Sequence, residues 1–142
     1  MYKSVLIPVA LDHEQDLSGK IELAKNLIPD GGKITALTVL EQLPSYVAEY
    51  VGGKSESHLA QIVLEKLRHA VKAHPEVECE VITGKAGVAI SEYAASHETD
   101  LILIGSHRPG LQDYFLGSTT ARVVRRAPCA VLVQRENTRY AT

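Results

Sequence analysis

The sequence predicts an α/β fold in which a parallel sheet is covered by helices on both faces. Three observations carry this. Short apolar runs rich in Val, Ile and Leu recur along the chain. Between them lie segments whose apolar residues repeat at helical spacing. The two kinds of segment alternate strictly, and successive parallel strands need such helical crossovers.

The first run, Ser4 to Val9, is continuously apolar, as a strand buried on both faces requires. Leu17, Ile21, Ala24, Leu27 and Ile28 then predict a helix from about Gln15 to Ile28, ended by Pro29-Asp30-Gly31-Gly32. Ile34 to Leu40 reads as the second strand. From Glu41 to Ser57 the periodicity is lost, so this stretch is expected to be a long loop. Leu59, Ile62, Val63, Leu67, Ala70 and Val71 define the next helix, closed by Pro75. Glu78 to Thr83 alternates as a third strand. Gly84 to Gly87 reads as a turn, Val88 to His97 as a helix, and Leu101 to Ile104 as the fourth strand. A glycine-bearing loop leads to a helix at Ser118 to Arg126, ended by Pro128. Ala130 to Val133 is the last strand, and the polar tail from Arg135 is expected to fray.

The 142 residues fit one domain spanning 1–142, with 45% hydrophobic and 23% charged residues. A net charge of -2 argues against a general nucleic-acid binder. Cys79 and Cys129 are fifty positions apart without metal-ligand spacing, and both read as buried, inert thiols. The opening apolar run is too short for a signal peptide or a membrane span, and nothing else approaches membrane length. A reducing cytoplasm is therefore the expected compartment.

In an open parallel sheet, ligands bind outside the carboxyl ends of the strands, where the strand order reverses. The candidate loops follow Val9, Leu40, Thr83 and Ile104. The last of these, Gly105 to Thr119, has the chemistry of a phosphate site. Gly105 permits a sharp turn and close approach of a ligand. Gly117-Ser118-Thr119 opens a helix, where free N–H groups and the dipole attract an anion. His107 and Arg108 add donors, and Arg108 adds a fixed positive charge. A plain helix cap with a solvated arginine accounts for the same spacing. Neither a Gly-Lys-Ser/Thr phosphate loop nor a Gly-x-Gly-x-x-Gly dinucleotide turn is present.

The segment GSHRPGLQDYFLGSTTARVVRRAPCAVLVQR resembles the C-terminal signature of the universal stress protein family. Members read Gly-x-x-Gly, nine residues, Gly-Ser or Gly-Thr, then a helix ending before Cys-Pro-Val-Leu-Val-Val. The opening YKSVLIPVALD resembles the family's first strand, which ends Pro-Val-Asp. ALTVL stands where the family's adenine-contacting valine lies, here Val39, and Gly84 before a helix bearing Ile90 also fits. The resemblance covers essentially the whole chain. It implies a five-stranded, Rossmann-like sheet of the adenine nucleotide alpha hydrolase-like type. It implies binding of ATP or a related nucleotide such as AMP by Pro8, Val9, Ala10, Asp12, Val39, Gly105, Ser106, His107, Arg108, Gly117, Ser118 and Thr119. Mg²⁺ would accompany ATP, with oxygen ligands from the phosphates and from Ser118 or Asp12. The implied role is stress response or signalling through a protein partner. Two positions depart from the pattern. Arg108 replaces the second glycine, with eight residues rather than nine between it and Gly117, and with Gly110 displaced by two. Ala10 stands where the family has Asp, a contact that Asp12 could replace.

No residue stands out as a general base, so any ATPase activity is expected to be slow; His107 reads as a donor rather than a catalyst. His13, His58, His69, His74 and His97 are expected on the surface. Arg122, Arg125 and Arg126 read as a solvated helix face, with an extension of the phosphate site as the other reading. Tyr46 and Tyr50 could cover a ligand or a partner. By the resemblance, Ala130 to Val133 is an edge strand that pairs with a second copy in a homodimer. Two other classes remain at this point: an interaction protein of the same fold that has lost the nucleotide, and a flavodoxin-like electron carrier.

Overall fold

The structure, a computed structural model, describes residues 2–11, 17–41, 53–106 and 117–135. Its elements are β1 (Ser4–Pro8), α1 (Leu17–Leu27), β2 (Lys33–Leu40), α2 (Gly53–Ala70), β3 (Glu78–Thr83), α3 (Ala86–Ser96), β4 (Leu101–Gly105), α4 (Ser118–Arg126) and β5 (Ala130–Gln134). All strand pairs are parallel, in the order β3-β2-β1-β4-β5. The chain therefore builds outward from β1 to β3, crosses over the sheet, and builds outward again from β4 to β5.

Strand alternation sends neighbouring residues into two cores. Val5 and Ile7 of β1 join Leu17, Ile21 and Ala24 of α1, Leu67 of α2, and Leu101 and Leu103 of β4. Leu6, Leu37, Ile102 and Ile104 face the other way, onto Ile90, Tyr93 and Ala94 of α3 and Val123 of α4. Thus α1 and α2 cover one face of the sheet, and α3 and α4 the other. This is why β1 and β4 are apolar at every central position.

Several local contacts fix the frame. The Asp100 carboxylate accepts the backbone N–H groups of Lys3 (2.8 Å) and Ser4 (3.0 Å), tying the start of β1 to that of β4. After α1, the Gly32 N–H donates to the Pro29 carbonyl (3.0 Å) across Gly31, whose φ is +90°. That turn needs a residue with positive φ, and glycine adopts it without strain.

Some boundaries differ from expectation. Helix α3 starts at Ala86, inside the expected turn, because the Glu41 carboxylate accepts the Ala86 N–H (3.3 Å) from across the sheet's end. Helix α2 starts at Gly53, inside the expected loop. Apolar periodicity marks only the part of a helix that packs, so a polar first turn carries no signal. Tyr46 and Tyr50 lie outside the described residues. The strands gain Lys33, Gly105 and Gln134 through backbone pairing, which is indifferent to the side chain. His74 is not on the surface: it is 7% exposed, and its Nδ1 lies 2.8 Å from Lys25 Nζ. Lys25 also pairs with Glu76, so His74 is buried as part of a polar cluster beneath α1. Helix α1 ends at Leu27, one residue earlier than expected.

Helices α3 and α4 meet at Gly87. A Cβ built there would lie 2.6 Å from Cδ and 2.8 Å from Cβ of Arg122. Gly87→Ala is therefore expected to destabilise the fold by about 1–3 kcal/mol through overpacking. Urea unfolding would read this as a lower midpoint; an unchanged midpoint would show that the two helices can separate freely.

Candidate functional site

The strand order reverses between β1 and β4, and their connections leave toward opposite faces of the sheet. A crevice at the carboxyl ends follows from that divergence. Four of its components lie within the described residues.

The first is the exit of β1 at Pro8, Val9 and Ala10. Val9 is buried, and both its backbone groups are held by β2. Its N–H donates to the Leu37 carbonyl (2.8 Å), and its carbonyl accepts the Thr38 hydroxyl (3.0 Å). Ala10 is exposed, immediately beyond this anchor. The second is the end of β2, where Val39 is partly buried beside β1.

The third is the end of β4. Gly105 pairs with Gln134 of β5, and the Ser106 N–H donates to the Gln134 carbonyl (3.1 Å). The fourth is the start of α4. Gly117 is the N-cap residue, buried and extended at φ -62°, ψ 156°, and it has no side chain of its own to cap the helix. Its carbonyl accepts the Ala121 N–H (2.9 Å). Ser118 is exposed and Thr119 half-buried in the first turn. One contact joins the third and fourth components: the Thr120 hydroxyl donates to the Gly105 carbonyl at 2.6 Å.

Of the expected site residues, Pro8, Val9, Ala10 and Val39 therefore lie on adjacent strand ends. Gly105, Ser106, Gly117, Ser118 and Thr119 gather where β4 ends and α4 begins. Asp12, His107 and Arg108 lie outside the described residues. Arg122, Arg125 and Arg126 are exposed, and the aliphatic stem of Arg122 covers Gly87.

Two helix starts thus occupy the same end of the sheet. At α3 the Glu41 carboxylate accepts the Ala86 N–H and meets the positive end of the dipole. At α4 the N-cap residue is Gly117, which has no side chain with which to cap the helix. Sequence reasoning missed Glu41, Thr38 and Thr120. The two threonines left one trace, a hydroxyl residue at a buried position: they are 6% and 4% exposed. Gln134 was also missed. Its side-chain oxygen is buried without a hydrogen-bond partner among the described residues.

Where β4 ends and α4 begins, the described residues offer hydroxyls and backbone N–H groups. Burial pushes the Cys79 thiol up, against a smaller opposing pull from Arg68. Burial also pushes Cys129 up, and Asp100 adds to it. Both half-buried thiols are protonated at neutral pH and are poor nucleophiles. Among the described residues no helix is long and apolar enough to cross a membrane.

Comparison with known proteins gives a consistent result. The sequence model of the Universal stress protein family matches residues 1–135. Universal stress protein G of Escherichia coli O157:H7 is 30% identical over 143 residues, covering 95% of this chain and 100% of that one. Among solved structures, the hypothetical protein MJ0577 superposes with a TM-score of 0.79 at 21% identity, covering 96% of this chain and 98% of that one. A universal stress protein in complex with cAMP superposes with a TM-score of 0.62 at 22% identity, covering 96% and 99%.

Proposed function

Since the chain belongs to the universal stress protein family, we propose that it binds ATP or a related adenine nucleotide and relays the bound state to a protein partner in stress response or signalling. The observation that carries this reading is the glycine-capped start of α4, held beside Gly105 by Thr120 at the carboxyl end of β4, next to the point where the strand order reverses. The triphosphate would lie on Gly105, Ser106 and the N–H groups of Gly117 to Thr119, and on His107 and Arg108. The adenosine would lie between Pro8 to Ala10, Asp12 and Val39. The family neighbour solved with cAMP supports an adenine ligand.

A Mg²⁺ ion would be held by phosphate oxygens with Ser118 or Asp12, a set of hard oxygen ligands that suits it. It would neutralise phosphate charge. The chain's own part is to orient the nucleotide and keep the phosphates on the helix start.

The exposed edge of β5 supports a homodimer in this reading. Among the described residues β5 pairs only with β4, and Leu132 at its centre is 36% exposed. An unpaired apolar edge is stabilised by a second copy of itself.

One observation favours a second reading, an interaction protein that binds no nucleotide: Ala10 is exposed where the family carries a carboxylate. Equilibrium dialysis of the purified protein against ATP with Mg²⁺ separates the two. Saturable binding of one nucleotide per chain is expected. No binding, and no nucleotide in the protein as purified, leaves the interaction reading. Sedimentation velocity on the same sample should show a dimer; a monomer removes the β5 pairing.

A further inference from the structure

The two strands that flank the crevice end in the same way. Where β1 ends, the Val9 carbonyl accepts the Thr38 hydroxyl, and the Val9 N–H is paired with Leu37. Where β4 ends, the Gly105 carbonyl accepts the Thr120 hydroxyl, and the N–H of the same peptide unit, that of Ser106, is paired with Gln134. At the β4 exit one peptide unit, Gly105–Ser106, is thus held on both sides, and at the β1 exit one residue, Val9, is held at both its backbone groups; in each case one bond comes from a strand partner and one from a threonine. Both threonines are more than nine-tenths buried.

This has an electrostatic consequence. A carbonyl oxygen at a strand end is a partial negative charge, and left free beside a phosphate it repels. A hydroxyl that occupies it removes the repulsion and fixes the direction of the peptide plane. Thr120 does more, because it belongs to the first turn of α4. Its bond to Gly105 sets how far the helix start stands from the strand end, and anion binding at a helix start decays within one turn. Thr38 belongs to β2 and sets only the β1 exit.

We infer that Thr120 and Thr38 are the positioning residues of two separable halves of the site: Thr120 for the phosphates and Thr38 for the nucleoside. The inference rests on the nucleotide reading above and deepens it. Neither hydroxyl needs to touch the ligand, since each is already spent on a carbonyl.

The test compares ATP with adenosine, which lacks the phosphates, on the full chain by calorimetry. Thr120→Val is expected to weaken ATP by about tenfold, the loss of a favourable but not indispensable helix-start contact, and to leave adenosine unchanged. Thr120→Ser, which keeps the hydroxyl, should restore ATP. Thr38→Val should weaken ATP and adenosine alike. In the free protein, Thr120→Val should speed amide hydrogen exchange at Ser106. If Thr120→Val binds ATP as the wild type does, or loses ATP and adenosine equally, the phosphate role of Thr120 is wrong. If Thr38→Val keeps its adenosine affinity, the role of Thr38 is wrong. Wild-type protein that binds neither nucleotide nor inorganic triphosphate refutes the nucleotide reading itself. Unaltered Ser106 exchange refutes the Thr120 clasp whatever the ligand does.

Discussion

Ser118→Asp is expected to weaken ATP binding by roughly a hundredfold while raising the stability of the free protein. Ser118 is the first residue of α4, exposed, beside an N-cap that offers no side chain. A carboxylate there meets the positive end of the helix dipole and should add about 0.5 kcal/mol to the unfolding free energy. The same carboxylate would sit where the phosphates are proposed to lie. Like charges a few ångströms apart at a protein surface repel strongly, so a loss of about 3 kcal/mol, or roughly a hundredfold in affinity, is expected. The opposite signs make the experiment decisive. Thermal unfolding and ATP titration of one variant should move in different directions. If ATP binds Ser118→Asp as well as the wild type, the anion does not lie on α4.

Ile102→Ala should give the largest loss of stability. Ile102 is fully buried in β4, beside the central strand β1, in one core cluster with Leu6, Leu37, Ile90 and Val123. It contacts both α3 and α4 through that cluster, so no single element can move in to fill the space. The expected cost is about 3–4 kcal/mol. That corresponds to a fall of about 10 °C in Tm for a chain of this size. Calorimetry on the purified variant reads it directly; a drop near that of an exposed residue would mean that the α3–α4 layer collapses onto the sheet. ATP should still bind the folded fraction, because Ile102 lies three residues before Gly105 and touches none of the proposed phosphate groups.

The strands and all four helices could be read from the chain, because burial on both faces leaves continuous apolar runs in strands and packing on one face leaves a helical period. Val5, Leu6 and Ile7 form such a run because they alternate between two cores. What could not be read depends on residues distant in sequence. The start of α3 is set by Glu41, 45 positions before Ala86. The burial of His74 depends on Lys25, 49 positions away. The glycine and hydroxyls at the start of α4 could be recognised as a helix start, since helix ends have a local signature. The threonine clasps could not, because Thr120 and Gly105 become neighbours only when β4 and α4 pack together.

The strand order also bears on how the chain is made. β1 leaves the ribosome first, yet it occupies the middle of the finished sheet. α1 and β2 can cover one edge of it early. The other edge has no partner until residues 101–105 emerge, and the Asp100 carboxylate that anchors Lys3 and Ser4 arrives only just before them. At a synthesis rate of about 5–20 residues per second, that edge stays open for several seconds. A nascent chain of this kind offers chaperones a defined client segment, and truncation before β4 would release a fragment with a bare apolar strand.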